Sequence, residues 1–541
     1  MSEKIKITIV TNDEKLNARS CVQNEGQIIV THDSSATIMS TLLKNNLISG
    51  SFCGGRGDCG RCRIRFLKGV TMPTALERSV MDAEELRQGY RLACLARPKD
   101  DCVIKLDLVN FPKIDIVADM IDVTEKIDYK GQERNQTKKQ KSTVTESGEK
   151  LQPDLEKNLY NTSDIFTDAE TLIAVDLGTT TIAMQLMMLG SGQVIDTYCE
   201  MNPQRRYGAD VLSRIKASCE GSREVLQQMV LEVLGRGVSR FEKCLSEGNA
   251  VIRGMCIAGN TTMEHLLMGY DVSSLGVSPF TPVEIGLQEY RNPAWNFRVW
   301  LVPGISTFVG GDIVAGLYAL GMLPDVQTSN PQVEQEKADL LIDLGTNGEM
   351  AITDGIRMIV TATAAGPAFE GGAGAGVVGS DMVACTASLF KQGIMDETGL
   401  FTEPYFTEGV TVGQPAVKLH NKDIRDIQMA KAAVRAGIEI LWRQMGEPEI
   451  GRVYLAGGFG YYLDAEAAFC IGLLPAGMRG KVESVGNTSL AGAFRIGRDL
   501  WRHKTDKKTL ERRISYIESV NLAEQEAFEE LYVRYMNISE S

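Results

Sequence analysis

The sequence predicts a two-part protein: a small α+β unit, then a larger and internally duplicated α/β unit. Three observations lead there. Cys53, Cys59 and Cys62 form a C-x5-C-x2-C loop, and Cys94 follows after 31 residues. Between Gly131 and Lys150 the only apolar residue is Val144, too little to offset the entropy of ordering that stretch. An apolar strand ending in Asp-Leu-Gly-Thr occurs twice, at Asp176 and at Asp343, 167 residues apart.

At 541 residues the chain is too long for one core. Apolar residues at 43% and charged residues at 23% are the balance of a soluble globular protein. The net charge of −13 and the lack of a long basic block argue against nucleic acid as a partner. An acidic protein can still dock on a basic patch of a protein partner. Residues 1–9 alternate like a strand and lack the apolar core of a signal peptide. Residues 171–190 are apolar but contain Asp176 and several threonines, which argues against a membrane span. The expectation is a cytoplasmic protein with reduced thiols. In it Cys21, Cys199, Cys219, Cys244, Cys256, Cys385 and Cys470 act as small buried hydrophobes.

Residues 1–110 form the first unit. Ile5, Ile7 and Ile9 alternate as in a half-buried strand, and Gln27–Thr31 supplies a second. A helix over Thr37–Lys44 follows, with Ile38, Leu42 and Leu43 apolar. After the cysteine loop comes a strand over Cys62–Leu67. Four thiolates suit a 2Fe-2S cluster, and glycines at 54, 55, 57 and 60 let the loop wrap closely and aim N–H groups at sulfides. Cys102 competes with Cys94 as fourth ligand, and zinc is the alternative metal for such a set. The order hairpin, helix, cysteine loop and strand resembles the β-grasp fold of 2Fe-2S ferredoxins. Arg91-Leu-Ala-Cys94 resembles the segment around their last ligand. Plant-type ferredoxins use C-x4-C-x2-C, so the extra residue here resembles the adrenodoxin-like subgroup. The resemblance implies a cluster held by Cys53, Cys59, Cys62 and Cys94.

Residues 111–168 read as a polar linker, and 169–541 as the second unit. One amphipathic helix is clear: Ser222 can cap it, and Val225, Leu226, Met229, Val230, Val233, Leu234, Val238 and Phe241 share a face. Near the end, a strand from Ile514 precedes a helix opened by Asn521-Leu-Ala-Glu524, a capping-box variant. No P-loop and no strand-borne G-x-G-x-x-G is present, and Gly372-Ala-Gly374-Ala-Gly376 alone is a weak phosphate signal. The repeated Asp-Leu-Gly-Thr turns are stronger. Glycine allows close approach, and backbone N–H groups and hydroxyls at Gly178, Thr179, Thr180 and Thr181, and at Gly345, Thr346, Asn347 and Gly348, suit phosphate oxygens. Asp176 and Asp343 suit a Mg2+ held through water.

These motifs resemble phosphate 1 and phosphate 2 of the actin, sugar-kinase and chaperone ATPase superfamily. Val453–Gly460, with Gly457 and Gly458, resembles its adenosine motif. Cys256–Thr262 and Val309–Asp312 are expected to line the same cleft. The expected fold class is therefore an α+β β-grasp ferredoxin domain followed by an α/β actin-like, ribonuclease H-like duplicated ATPase domain.

The whole arrangement resembles the reductive activators of corrinoid proteins, as do Asn202–Val211 and Ala365–Gly372. The resemblance implies ATP-dependent passage of one electron from a 2Fe-2S cluster to cobalt(II) of a corrinoid protein in a methyltransferase system, regenerating cobalt(I). It also implies ATP and Mg2+ as cofactors, an upstream low-potential electron donor, no membrane partner, and a homodimer through the ATPase domain. Plant-type clusters lie near ~−400 mV. A target ~200 mV lower would make the step uphill by roughly 4.6 kcal/mol, which nucleotide must offset. Asp312 is a candidate for orienting the attacking water, with an N-cap before Ile313–Leu320 as the alternative; Glu349 is a similar candidate. The family can carry a folded middle domain between its two parts, and 111–168 is short and polar for one. The rival readings are a ferredoxin-fused small-molecule kinase, an activator of another low-potential metalloenzyme such as a 2-hydroxyacyl-CoA dehydratase, and a non-catalytic scaffold.

Overall fold

The structure is a computed structural model that describes residues 4–10, 27–44, 47, 62–106, 170–208, 210–246, 249–324, 337–366, 379–412 and 417–539. Cys21, Cys53, Cys59, the linker, Phe369–Gly372 and Gly372–Gly376 lie outside them.

The first unit is a five-stranded sheet of order β2-β1-β5-β3-β4. Its strands are β1 (Lys4–Val10), β2 (Gln27–Asp33), β3 (Arg63–Lys68), β4 (Tyr90–Leu92) and β5 (Cys102–Lys105). The isoleucine alternation has the expected result: Ile7 and Ile9 are buried opposite Val30 and Ile28 of the antiparallel β2. The helix Ile38–Lys44 covers the sheet with Ile38 and Leu42. Its first amides donate to Ala96 and Ala93, which ties it to the Cys94 segment.

The second unit holds two six-stranded sheets. The first has β6 (Glu170–Leu177), β7 (Thr181–Met188), β8 (Val194–Met201), β9 (Val251–Gly259), β10 (Gln288–Tyr290) and β11 (Arg298–Leu301), in the order β10-β11-β9-β6-β7-β8. The other begins with β12 (Lys337–Leu344), β13 (Gly348–Thr353) and β14 (Met358–Thr363). A small hairpin, β15 (Val410–Val412) and β16 (Val417–Leu419), intervenes. Then β17 (Glu449–Ala456), β18 (Val482–Gly486) and β19 (Ile517–Val520) complete the order β18-β17-β12-β13-β14-β19. Both sheets repeat one scheme. An antiparallel meander opens each, a later strand lies parallel to its first strand, and another lies parallel outside that. The duplication suggested by the repeated motif is thus a duplication of topology.

Two helices join the halves: Gly311–Leu320 after β11, and Thr488–Trp501 after β18. They pack with almost no separation. A Cβ on Gly492 would stand 1.9 Å from the Ala315 carbonyl oxygen, and one on Gly316 would stand 2.8 Å from Thr488 Oγ1.

Several expectations are corrected. Ser222 is at the N-cap of Arg223–Leu245, but its side chain makes no capping bond; the chain enters the helix through a kink in Ser218–Ser222, where Gly221 has φ 100°. Val225 is exposed and Met229 half-buried, so the buried face begins at Leu226. Cys256 and Cys470 are buried as expected, but Cys199 and Cys385 are only half-buried and Cys219 and Cys244 are exposed. Asp312 is not an N-cap: Gly310 holds that place and Asp312 lies in the first turn. Asn521 caps a 3-10 turn, Leu522–Glu524, ahead of the final helix Glu526–Arg534. No helix among the described residues is long and apolar enough to cross a membrane.

Candidate functional site

The two Asp-Leu-Gly-Thr turns converge. Each leaves the end of the first strand of its sheet, and Thr180 Oγ1 lies 3.3 Å from Thr346 Oγ1 across the cleft. Gly178 is required locally, since a Cβ there would stand 2.6 Å from the Thr181 carbonyl oxygen. Three side chains support this turn. Asn202 Nδ2 donates to Gly178 O at 2.9 Å, and Asn260 Nδ2 donates to Thr179 Oγ1 at 2.9 Å. The fully buried Arg214 donates to the Thr179 carbonyl. Sequence reasoning noticed Asn202–Val211 and Asn260 without seeing this task, and it missed Arg214.

In the other half, register brings three elements together. Asp343 of β12 is paired with Glu349 of β13 and with Ala456 of β17. Gly345 N–H closes its turn on Asn347 O at 2.9 Å, and Gly348 begins β13. Gly457 follows β17 at φ 83°, where a Cβ would meet Asp343 Oδ1 at 2.5 Å and Leu344 O at 2.6 Å. A Cβ on the adjacent Gly458 would meet nothing within 4 Å, so its face is open.

Carboxylates crowd the floor between the halves. Asp176, Asp312 and Asp343 are half-buried, and Glu349 and Glu264 are buried. Burial pushes Asp343 up to about 8, and repulsion from Asp312 and then Asp176 adds to it. Asp312 is pushed up to about 7 by burial, with Asp176 adding repulsion. Glu349 and Glu264 are raised well above the carboxylate range, first by burial and then by Asp312. Asp176 is also raised by burial, but hydrogen bonds from Asn487 and Ser489 oppose the shift. Among the described residues no three His, Cys, Asp or Glu side chains are grouped closely enough to hold a metal ion. A cation here would keep ligands from water and phosphate, which suits Mg2+. Glu264, Asn487 and Ser489 were not singled out in the sequence.

In the first unit, Cys62 and Cys94 are buried with their Sγ atoms 3.3 Å apart. Ala93 N–H donates to Cys62 O at 2.8 Å, which locks the two backbones side by side. Two thiolates on one tetrahedral centre with bonds of ~2.3 Å stand roughly 3.7 Å apart, close to this spacing. The residues present therefore fit a shared metal centre. Cys102 is on β5, where burial and then Asp101 push its thiol up to about 11. Behind Cys94, the buried Glu77 carboxylate accepts from Leu92 N–H at 2.8 Å and from Thr74 N–H at 2.7 Å.

Comparison with known families agrees with this layout. Residues 22–99 match the 2Fe-2S iron-sulfur cluster binding domain. Residues 172–325 match the RACo middle region, and 337–375 with 373–541 match the C-terminal domain of RACo, the ASKHA domain. The chain belongs to the RACo family. The fold class is accordingly the expected one, a ferredoxin-type domain followed by an actin-like ATPase domain. The RACo middle region falls on the first six-stranded sheet, downstream of 111–168.

The chain is 29% identical to the corrinoid activation enzyme RamQ of Eubacterium limosum, over 59% of this chain and 63% of that protein. It is 24% identical to a Co(II) methylated amine-specific corrinoid protein reductase of Methanosarcina barkeri, over 59% of this chain and 68% of the relative. The match thus spans less than two thirds of RamQ. A solved reductive activator for corrinoid, iron-sulfur protein shares the fold with a TM-score of 0.58 at 23% identity, and 98% of each chain is covered.

Proposed function

We propose that this chain is an ATP-dependent reductive activator that returns a corrinoid protein of a methyltransferase system from cobalt(II) to cobalt(I). The observation that carries the reading is the convergence of two Asp-Leu-Gly-Thr turns in a chain that also bears a cysteine-ligated electron-carrier domain. The names of its relatives support corrinoid as the target. A division into 1–110, 111–168 and 169–541 is proposed with it.

When bound, a 2Fe-2S cluster supplies a one-electron carrier, and ATP supplies a hydrolysable phosphate. Cys53, Cys59, Cys62 and Cys94 would hold the cluster. Asp176 and Asp343 would orient Mg2+ through water. Gly178, Thr179, Thr180 and Thr181, with Gly345, Thr346, Asn347 and Gly348, would hold phosphates. Gly457 and Gly458 would lie against adenosine. Asp312 would orient the attacking water, because a carboxyl raised to about 7 can take a proton near neutrality. Arg214, Asn202 and Asn260 keep the first turn in place. An uphill step needs nucleotide states that differ in affinity for the partner. The cleft between two halves is a place where such states can differ, because its two turns come from different halves.

The test is ATP hydrolysis with and without a cobalt(II) corrinoid protein, with products analysed. Stimulation by the partner with free phosphate as product supports the reading. Transfer of phosphate to a small molecule would favour the kinase alternative.

A further inference from the structure

The two Asp-Leu-Gly-Thr carboxylates occupy matching places, but the structure treats them differently. Each half sends a helix to the cleft, Gly311–Leu320 from the first half and Thr488–Trp501 from the second. Their N-caps are Gly310 and Asn487, so Asp312 and Ser489 stand at the same distance from their caps. Across the halves, Asn487 Nδ2 donates to Asp176 Oδ2 at 2.7 Å, and Ser489 Oγ donates to Asp176 Oδ1 at 3.1 Å. The orientation of the Asn487 amide is fixed, because its Oδ1 accepts from Leu490 N–H at 2.8 Å. Both oxygens of Asp176 are therefore held by neutral donors of the opposite half. Asp343 instead feels the charges of Asp312 and then Asp176, and Asp312 is an acid where the other helix has a serine.

We propose that Asn487 and Ser489 are positioning residues that clasp Asp176 across the two halves and hold its carboxylate in place for the Mg2+ it would orient. This rests on the nucleotide-site reading above. A carboxylate with donors on both oxygens keeps its place without a cation. The carboxylate of the first turn is thus held by side chains of the other half.

The test uses the full chain with Ser489→Ala, Asn487→Asp and, as comparator, Asp343→Asn. Asn487→Asp retains the capping oxygen but sets a second carboxylate against Asp176. Measured are the apparent Mg2+ constant for binding a fluorescent ATP analogue, kcat/KM for ATP, and melting temperature. Ser489→Ala should lower kcat/KM about tenfold, the worth of a hydrogen bond to a charged group, and Asn487→Asp should lower it further. Ser489→Ala, which frees one oxygen of Asp176, should raise the apparent Mg2+ constant, as Asp343→Asn should. An Mg2+ constant left unchanged by Ser489→Ala would overturn the clasp as a device for the cation. Unchanged kcat/KM in both removes the positioning role. A wild-type chain that neither binds nor hydrolyses Mg-ATP would instead overturn the nucleotide-site reading.

Discussion

Gly457→Ala is the substitution whose cost the structure defines most sharply. The backbone at 457 has φ 83°, a left-handed conformation that costs an L-residue about 1–2 kcal/mol. The new Cβ would also stand 2.5 Å from Asp343 Oδ1 and 2.6 Å from the Leu344 carbonyl oxygen. The carboxylate can swing away, but the carbonyl is part of β12 and cannot, so overpacking adds about 1–3 kcal/mol. The sum is a loss of about 2–5 kcal/mol of stability, with Asp343 turned from its place. Gly458→Ala is the control. It meets nothing within 4 Å and lies in the helix Gly457–Tyr462, so its stability should hold or rise by about 0.5–1 kcal/mol. Urea unfolding and calorimetric titration with Mg-ATP measure both quantities. The account expects Gly457→Ala to lose stability and affinity together, and Gly458→Ala to lose affinity alone. Equal stability of the two variants, or unchanged Mg-ATP affinity in Gly457→Ala, would refute the reasoning.

Three further outcomes follow from the same geometry. Asp343 and Asp312 have folded-state values raised to about 8 and about 7, so their contribution to stability is full below about 4, the unfolded value, and is lost as pH rises through 7 and 8. The nucleotide-free protein should therefore melt lower at pH 8.5 than at pH 6, while Mg-ADP, which favours the ionised forms, should stabilise it more at the higher pH; equal stabilisation at both would contradict this. Glu77→Ala leaves the Leu92 and Thr74 amides without their carboxylate and should cost about 2–4 kcal/mol, with iron content of the reconstituted protein falling as well. Asp343→Asn should lower ATP hydrolysis at least about a hundredfold, the scale of losing an electrostatic catalytic contact, while leaving the visible absorption of the cluster intact; retained turnover would remove Asp343 from the site.

What the sequence made legible was local. An apolar run, a glycine turn and a second apolar run are neighbours in the chain, so the strands that carry Asp176 and Asp343 could be read, and their repetition indicated two halves. The alternation at Ile5, Ile7 and Ile9 placed β1 for the same reason. What lay hidden depends on contacts between distant segments. Asn487 meets Asp176 across 311 residues, and Ser489 across 313. Arg214 lies on a short helix that gives no sign of reaching Thr179. Ser222 looked like a cap because serine commonly is one, but the chain enters the helix through a kink at Gly221, at φ 100°, and the Ser222 side chain makes no capping bond. The exposure of Cys219 and Cys244 shows the limit of reading burial from residue type: both lie on the outer side of helical turns.

The central claim is that nucleotide drives electron delivery to cobalt. The most direct test mixes the anaerobically reconstituted protein with a cobalt(II) corrinoid protein, an electron donor and Mg-ATP, and follows the visible spectrum. The account expects the cobalt(I) band to appear only when ATP is present. Cobalt(I) formed equally well without ATP, or none formed despite an intact cluster spectrum and active hydrolysis, would contradict it.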